Sequence, residues 1–481
     1  MKRIAQSLFA LGGMLFSLSV AAQDTWSLER CVRYAQDNNI TVQQAMASAK
    51  ISQLSEKQAK SARLPNVSGG INAGKQFGRT IDPTSNTFVT TGVGFNSMSL
   101  DASVNLFNGG LIHHNVKQAN WNVKAAVADA EQSANTLGLQ VAQAFLTILL
   151  NEEQLENARR RVAQSDQQLN ATLKLIEAGS TPLAEKFNLQ AQKASDEQAA
   201  VVAQNNVDLA YLNLKQLLQL EPDFDLRIER PTVVIPPDAN PAGMSLTPLY
   251  GTAATTQPNI RAAGFRIKSA EEGIAIAKAA YYPSMQAFAQ LRSNYSTQFF
   301  RPESITKIND PVIPALINGE AALVTLLGQT TEIPNNIQRV KYFTQLDQNF
   351  GQTIGFSINV PIYSNGRNNL AVERARLNVL TAQMQSTQAQ QTLKNDIQTA
   401  IANARAAKLQ LEAAEKTFMA RQTAFQNTEK RLSLGAVNSL DLTTAKTNMD
   451  NAENDLVRAK YDYLFRLKIL DFYEGKPLQL N

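Results

Sequence analysis

Apolar and polar residues alternate with two different periods along this chain. Four short stretches alternate strictly. Val67, Ile71, Ala73 and Phe77 share one face, opposite Ser68, Asn72, Gly74 and Gln76. Leu100, Ala102, Val104 and Leu106 alternate with Ser99, Asp101, Ser103 and Asn105. Met285, Ala287, Ala289, Leu291 and Tyr295 oppose Gln286, Gln290, Arg292 and Asn294. Ile354, Phe356, Ile358, Val360 and Ile362 alternate with Thr353, Gly355, Ser357 and Asn359. Period two with one apolar face predicts half-buried strands at about 66–77, 97–107, 284–297 and 350–362. The polar faces are small and hydrophilic, as a wall facing water would be. Phe77, Phe88, Phe107 and Tyr295 lie near strand ends, where a membrane barrel carries its aromatic girdle.

Strands of this length suit a membrane barrel, but roughly eight is the smallest number that closes one. An open sheet in lipid leaves its edges unpaired, at high cost. Strands that span a membrane here therefore require several chains to share one barrel, as a dimer, trimer or tetramer.

The rest of the chain reads as helix. From Arg367 to Leu434 there is no Gly or Pro, and most residues favour helix. Such a run would be about 100 Å long, too long to fold back into a compact globule. Gly435 interrupts it, and a second clean run extends from Ala436 to Glu474. The same form appears earlier. Leu111–Ala178 contains only Gly138 as a breaker, Gly179-Ser180-Thr181-Pro182 makes a turn, and Leu183–Leu220 is clean. Gly after one helix and Pro early in the next are the expected punctuation of two long helical hairpins, 110–220 and 367–474. Small apolar residues such as Ala400, Ala404 and Ala407 recur at helical spacing, which suits helices with several neighbours. Helical pattern alone fits a structural rod equally well; the amphipathic strands favour a barrel with attached helices.

The chain is written twice. Each half opens with a shorter helix, roughly Ser27–Arg63 and Thr247–Tyr281, with Asn39-Ile40 matching Asn259-Ile260. Two strands follow, then a glycine-marked exit, then a long hairpin. Gly366 lies 256 positions after Gly110, and Gly435 lies 256 positions after Gly179. This gives a first repeat at 23–221, a Pro-rich connector at 222–245, a second repeat at 246–475 and a tail at 476–481. Excursions at 78–96 and 298–348 separate the strands of each pair.

Composition narrows the function. There are 46 basic and 41 acidic residues, too balanced to argue for nucleic acid. One cysteine, Cys31, excludes a disulfide framework, and its place on an apolar helix side suits packing. The two histidines, His113 and His114, are adjacent and point about 100° apart on a helix, a poor metal pair. No nucleophile elbow or P-loop appears, so neither an enzyme nor a self-powered transporter is expected, and no cofactor or metal. Residues 1–22 read as a cleaved secretory signal: Lys2 and Arg3, then the apolar Ile4–Leu18, then Val20-Ala21-Ala22. Gln23 follows the cleavage point, where a lipoprotein would need cysteine. After Ala22 no apolar run reaches 18 residues, which argues against a helical span.

The whole plan resembles the TolC family of outer-membrane efflux proteins. The resemblance covers Trp26 to about Gly475. It rests on the repeat, the order helix–strand–strand–hairpin, the stretch Arg431-Leu432-Ser433-Leu434-Gly435-Ala436-Val437-Asn438-Ser439-Leu440-Asp441-Leu442, and Ala459-Lys460-Tyr461-Asp462-Tyr463-Leu464. It implies a mainly α chain that adds four strands to a shared twelve-stranded trimeric barrel and its helices to a periplasmic tunnel. It further implies a homotrimer in the outer membrane of a Gram-negative bacterium. The partners implied are a periplasmic adaptor (membrane fusion) protein, an inner-membrane transporter such as an RND pump or ABC exporter, and outer-membrane lipid. Cargo is not specified by it.

By the same resemblance, acidic residues six positions after each tip glycine, Glu185 and Asp441, line the periplasmic aperture. A carboxylate in the first turns of a helix also favours the helix dipole, so the two readings stand side by side. Thr444 occupies the place of a second family carboxylate, and Val437 that of a basic gate partner, so neither feature is expected in its usual form. Gly179, Leu183, Leu434, Gly435, Val437 and Leu440 are the candidate adaptor contacts at the tips. Packing within each hairpin would call for the same residue types.

Overall fold

The computed structural model describes residues 25–82, 86–90, 92–231, 241–317, 320–434, 436–477 and 479. The expected leader at 1–22, the middle of the connector at 232–240, Gly435 and the end of the 476–481 tail lie outside the described residues. The chain runs α1 (Leu28–Asn38), α2 (Ile40–Ser61), β1 (Asn66–Gln76), β2 (Thr80–Ile81), β3 (Phe88–Val89) and β4 (Val93–Asn108). Then come α3 (Leu111–Glu177), α4 (Ala184–Leu218), α5 (Leu246–Thr256), α6 (Pro258–Ala279) and β5 (Ser284–Ser296). The second excursion forms β6 (Phe300–Asn309), β7 (Val312–Ile317), β8 (Glu320–Thr325), β9 (Thr330–Arg339) and α7 (Tyr342–Gln348). β10 (Gly351–Asn359), α8 (Arg367–Ser433) and α9 (Ser439–Tyr473) complete the order.

Contacts divide the chain into two compact units, and each takes segments from both halves of the sequence. The helical unit comprises the described parts of Met1–Ser55, Ala119–Ala270 and Asn378–Asn481. The strand unit comprises Glu56–Gln118 and Glu271–Leu377.

In the helical unit, Leu137, Val141, Phe145, Ile148 and Leu149 of α3 pack with Leu214 and Leu218 of α4 and with Cys31 and Ala35 of α1. Val457, Tyr461 and Leu464 of α9 close the same core. Burial pushes the Cys31 thiol up to about 12, as suits a packing residue. α3 is long and apolar enough to cross a membrane by length and composition, yet half of its apolar window is buried inside the fold. The first helix expected in each half is broken once. Asn39 ends α1 with an extended backbone; its Oδ1 accepts from Thr41 N at 2.9 Å and its Nδ2 donates to Leu217 O at 2.9 Å. Gln257 ends α5 in the same extended conformation, and Pro258 then starts α6, where a missing N–H costs nothing. The described start of the connector is tied down. Trp26 N donates to Arg227 O at 2.8 Å, and Glu229 N donates to Trp26 O at 2.9 Å.

The strand unit holds one four-stranded antiparallel sheet in the order β1-β4-β5-β10. Its register places the polar residues in rows. Asn72, Ser97 and Asn294 form one row; Gly70, Ser99, Arg292 and Gly351 the next; Ser68, Asp101, Gln290 and Thr353 the third. The opposite face carries Val67, Ile71, Ile354, Phe356 and Ile358, all exposed. Both outer edges, on β1 and β10, are unpaired among the described strands.

The second excursion contains more order than its sequence suggests. β6 pairs with β9, β7 pairs with β8, and Asp310 N donates to Gln329 O at 2.7 Å between the two pairs. Apolar residues such as Ile305, Ile308, Ile333 and Ile337 are exposed across this ribbon. A ribbon without one buried face shows no clean period of two. After it, α7 satisfies the edge of β5 where β10 has not yet begun. Gln345, wholly buried, accepts from Ser296 N at 2.9 Å and donates to Ser296 O at 3.0 Å. Asn349 donates to Asn294 O at 2.8 Å. The buried Asp82 accepts from the Ser296 hydroxyl, which fastens the first excursion at the same end of the sheet.

Two aromatic rings cover glycines on the edge strands. A Cβ on Gly74 would lie 3.1 Å from the Phe95 ring, and one on Gly355 would lie 2.8 Å from the Phe288 ring. Each ring fills the space of a missing side chain. Gly355→Val should therefore lower thermal stability of the strand unit by about 1–3 kcal/mol, the usual cost of overpacking. Adding Phe288→Ala should recover most of that loss, read as the melting of the β circular-dichroism signal. Equal melting of Gly355→Val and wild type would remove the ring contact as the reason for glycine.

Candidate functional site: the hairpin tips and the buried charges behind them

The two long hairpins share one closing backbone bond at their tips. Gly179 has φ +73°, a conformation glycine adopts without a Cβ penalty. Gly179 N donates to Ile176 O at 2.9 Å and Ser180 N to Leu175 O at 3.0 Å, which closes the last carbonyls of α3. At the second tip Ala436 N donates to Arg431 O at 2.9 Å, the matching bond at the end of α8. The tips present apolar side chains to solvent: Leu183 is 60% exposed, Leu434 82% and Leu440 70%. Val437 is half-buried. Phe187, one turn into α4, and Leu175 are exposed as well and were not singled out by the sequence.

The two candidate aperture carboxylates differ in their surroundings. Asp441 completes a capping box. Its N–H donates to Asn438 Oδ1 at 2.9 Å, and its carboxylate accepts from Asn438 N at 3.4 Å. The spacing of Asn438 and Asp441 is the sequence sign of such a box. Thr444 donates to Leu440 O at 2.8 Å on its own helix. Glu185 lies in the first turn of α4 and accepts from Asn188 Nδ2 at 3.4 Å. Its other oxygen, Oε1, is shielded from solvent and accepts no hydrogen bond among the described residues. Among the described residues no hydrogen bond joins Glu185 to Asp441.

Behind the tips lies a buried charge network. Lys446 of α9 donates to Ser165 of α3 at 3.1 Å and stands 3.6 Å from Asp196 of α4. Ser165 donates in turn to Asp196, which also accepts from Gln192 at 3.0 Å. One turn on, Arg161 donates to Asp450 O at 2.6 Å, with its Nε 3.4 Å from the Asp450 carboxylate. Glu453 takes Arg160 at 3.0 Å. Asp196, Lys446 and Asp450 are each no more than 7% exposed. Three cations face three anions, so each buried charge has a counter-charge.

This network ties α9 to the first hairpin near the tips. Beyond Leu411 α8 buries no side chain, and between Leu442 and Ala452 the buried residues of α9 are Lys446 and Asp450. The sequence carried a sign of it. Lys446, Asp450 and Glu453 continue, at helical spacing, the stripe of Val457, Tyr461 and Leu464. Charges standing in an apolar stripe face a partner, not solvent.

Neither histidine bonds to this network among the described residues. His113 is exposed, and His114 Nδ1 lies 2.6 Å from Glu272 Oε2.

Two outcomes test the network. Lys446→Met leaves Asp196 buried without its counter-charge, which should cost about 3–5 kcal/mol. Asp196→Asn with Lys446→Met should cost less than the sum of the single changes, read by thermal unfolding in a double-mutant cycle; additive losses would mean the two do not interact. Burial pushes the Asp450 carboxyl above its ordinary 3.8, against the pull of Arg161 and Lys446. The folded state therefore holds this proton more tightly than the unfolded chain. Stability contributed by Asp450 should fall as pH rises from the ordinary carboxylate value through the raised one. Subtracting the unfolding profile of Asp450→Asn from that of wild type should reveal this slope.

Comparison with known proteins gives the family. Residues 32–219 and 335–475, more than half of the chain, match the outer membrane efflux protein family. Outer membrane protein TolC of Escherichia coli (strain K12) is 29% identical over 119 residues, a stretch that spans 24% of this chain and 24% of TolC. Outer membrane efflux protein BepC of Brucella suis biovar 1 is 19% identical over 461 residues, covering 96% of this chain and 87% of BepC. The crystal structure of the outer membrane protein VceC of Vibrio cholerae shares the fold, with a TM-score of 0.70 at 17% identity over 94% of this chain and 97% of VceC. The long hairpins, the antiparallel sheet and these matches together place the chain in the outer membrane efflux protein family, the family of TolC.

Proposed function

We propose that the chain is the outer-membrane exit duct of a tripartite efflux or type I secretion system. In this reading it is a homotrimer. Its strands form one barrel in the outer membrane, and its helices form a tunnel in the periplasm. A periplasmic adaptor opens it, and an inner-membrane transporter such as an RND pump or ABC exporter supplies the energy.

The observation that carries this reading is the sheet. β1 and β10 are its two free edges, and three antiparallel steps separate them, so they run in opposite directions. The β10 edge of one copy therefore pairs antiparallel with the β1 edge of the next, and a ring of copies closes with no edge left. Two copies would give about eight strands, whose interior is filled by side chains. Three copies of the four-stranded sheet give twelve, which leaves a water path. The exposed apolar face of Val67, Ile71, Ile354, Phe356 and Ile358 then meets lipid, and the polar rows meet water.

At the hairpin tips, three copies turn Asp441 and Glu185 into acidic rings that hold the aperture and favour cations. Glu185 Oε1, shielded and without a donor, is an acceptor that a neighbouring copy would satisfy. Leu183, Leu434 and Leu440, solvent-exposed on a single chain, offer the adaptor an apolar tip, and Gly179, Gly435 and Val437 complete the set of candidate contacts.

The test is the mass of the detergent-extracted protein together with its single-channel conductance. A trimer with discrete currents is expected; a water-soluble rod that never inserts would end the duct reading. Asp441 has two candidate roles, and two substitutions separate them. Asp441→Asn keeps an acceptor for Asn438 and removes the charge, whereas Asp441→Ala removes both. If the charge gates the aperture, both should raise conductance or change its cation dependence. A change with Ala alone would assign Asp441 to the helix cap.

A further inference from the structure

The polar face of the sheet carries a cation that has no partner among the described residues and that lines a concavity. Across the paired positions of that face the charged residues are Asp101 and Arg292. Asp101 is engaged: Gln290 donates to it at 2.6 Å. Arg292 is exposed, and among the described residues no ion pair or hydrogen bond holds its guanidinium. The row around it is bare. Gly351 flanks it on β10, while Ser99 and then Gly70 flank it on the other side. A Cβ on Gly351 would lie 3.5 Å from both Cγ and Nε of Arg292, so the arginine stem lies across that glycine.

The concavity has a volume of about 700 Å³. Asn72, Ser97, Gln290, Asn294 and Asn349 line it with amides and a hydroxyl, and Arg292 is its one charged lining residue. Ile81, from the excursion fastened by Asp82 and Ser296, lines it at the rim. A guanidinium presents a planar fork of donors that matches an oxyanion in two parallel bonds. Gln290 and Asn349 already donate to Asp101 and to Asn294 O, so Asn72, Ser97 and Ser99 are the uncharged groups that would add bonds here; Asp347 lines, with Arg292, a second concavity of the sheet. Asp101 lies one row further along the sheet and outside this lining.

We propose that Arg292 and the amides around it form a recognition site for oxyanionic groups: the carboxylate, sulfonate or phosphate of a solute on the polar face of the sheet. This deepens the duct reading, on which it rests for the statement that the solute is cargo in transit. The site thus bears on which cargo dwells in the barrel, independently of the acidic tips.

The experiment uses the full-length protein in a bilayer of neutral phosphatidylcholine, so that no anionic lipid headgroup supplies the ligand. Reversal potential in a potassium chloride gradient and block by inorganic sulfate are compared for wild type, Arg292→Gln and Arg292→Lys. Arg292→Gln should shift the reversal potential toward potassium and weaken sulfate block roughly tenfold or more. Arg292→Lys should keep the reversal potential, since the charge remains, but lose most of the sulfate block with the fork. Currents with the same reversal potential and the same sulfate block in wild type and Arg292→Gln would overturn the site while leaving the duct intact. Absence of current from every form would instead overturn the duct. Equilibrium dialysis of radiolabelled sulfate against detergent-extracted wild type and Arg292→Gln reads the site in that case too. Equal binding there would overturn it, and binding lost only in the variant would support it.

Discussion

A backbone that pairs on one side and not on the other is the constraint from which the rest follows. Among the described strands β1 and β10 each leave a row of amide and carbonyl groups without partners, and in hydrocarbon such groups are prohibitively costly. The sheet's apolar face forbids it to remain in water, and its open edges forbid it to enter lipid alone. In the proposed duct, closure with further copies of the same edges removes both objections. Other features of the sheet suit that closure. Gln345 and Asn349 of α7 satisfy β5 where β10 has not begun, so the sheet does not fray at that end. Phe95 and Phe288 fill the gaps beside edge glycines, so the edge strands keep their packing.

The helical unit meets a different requirement. Its interior is apolar where α1, α3, α4 and α9 meet, and ionic nearer the tips. An apolar interface tolerates small slips, because one methyl contact resembles the next. A buried ion pair does not, since a shift of a few ångströms leaves a charge without its partner. The network of Lys446, Asp196, Asp450 and Arg161 therefore gives α9 one defined position against the first hairpin, in the stretch where α8 buries nothing. That arrangement suits an element that has discrete settings.

Much of this was legible in the sequence, for reasons that differ by element. Strict alternation revealed the four sheet strands because one face is apolar and the other hydrophilic. The starts and stops of α3, α4, α8 and α9 were legible because glycine and proline mark their ends and tips, with Gly138 inside α3 as the one interior exception. The ribbon of β6 to β9 was not legible, since neither of its faces is buried and its alternation is weak. The break at Asn39 depends on a side chain reaching Leu217 of a distant helix, which no local pattern reports. The ionic network was hidden for a related reason. Lys446 and Asp450 stand four residues apart on one helix, the usual spacing of a solvated pair, and only the apolar stripe that they interrupt gives them away. At the candidate site Asp441 is marked in the sequence by its place six residues after the tip glycine, and its bond to Asn438 by the capping-box spacing of the two residues.

The lengths of the helices carry a consequence for how such a gene can change. α3 and α8 each contain 67 residues, and α4 and α9 each contain 35. One inserted residue turns everything beyond it by about 100° and advances it by about 1.5 Å, so a single codon gained in α3 would swing its buried stripe toward solvent. An insertion of seven residues nearly restores the facing but moves that tip by about 10 Å past its neighbours. Viable changes in reach must therefore arrive as coordinated insertions or deletions of near-whole heptads in all four helices, or not at all. Alignments of relatives should show gaps in these helices as matched sets, with loops absorbing the unmatched ones.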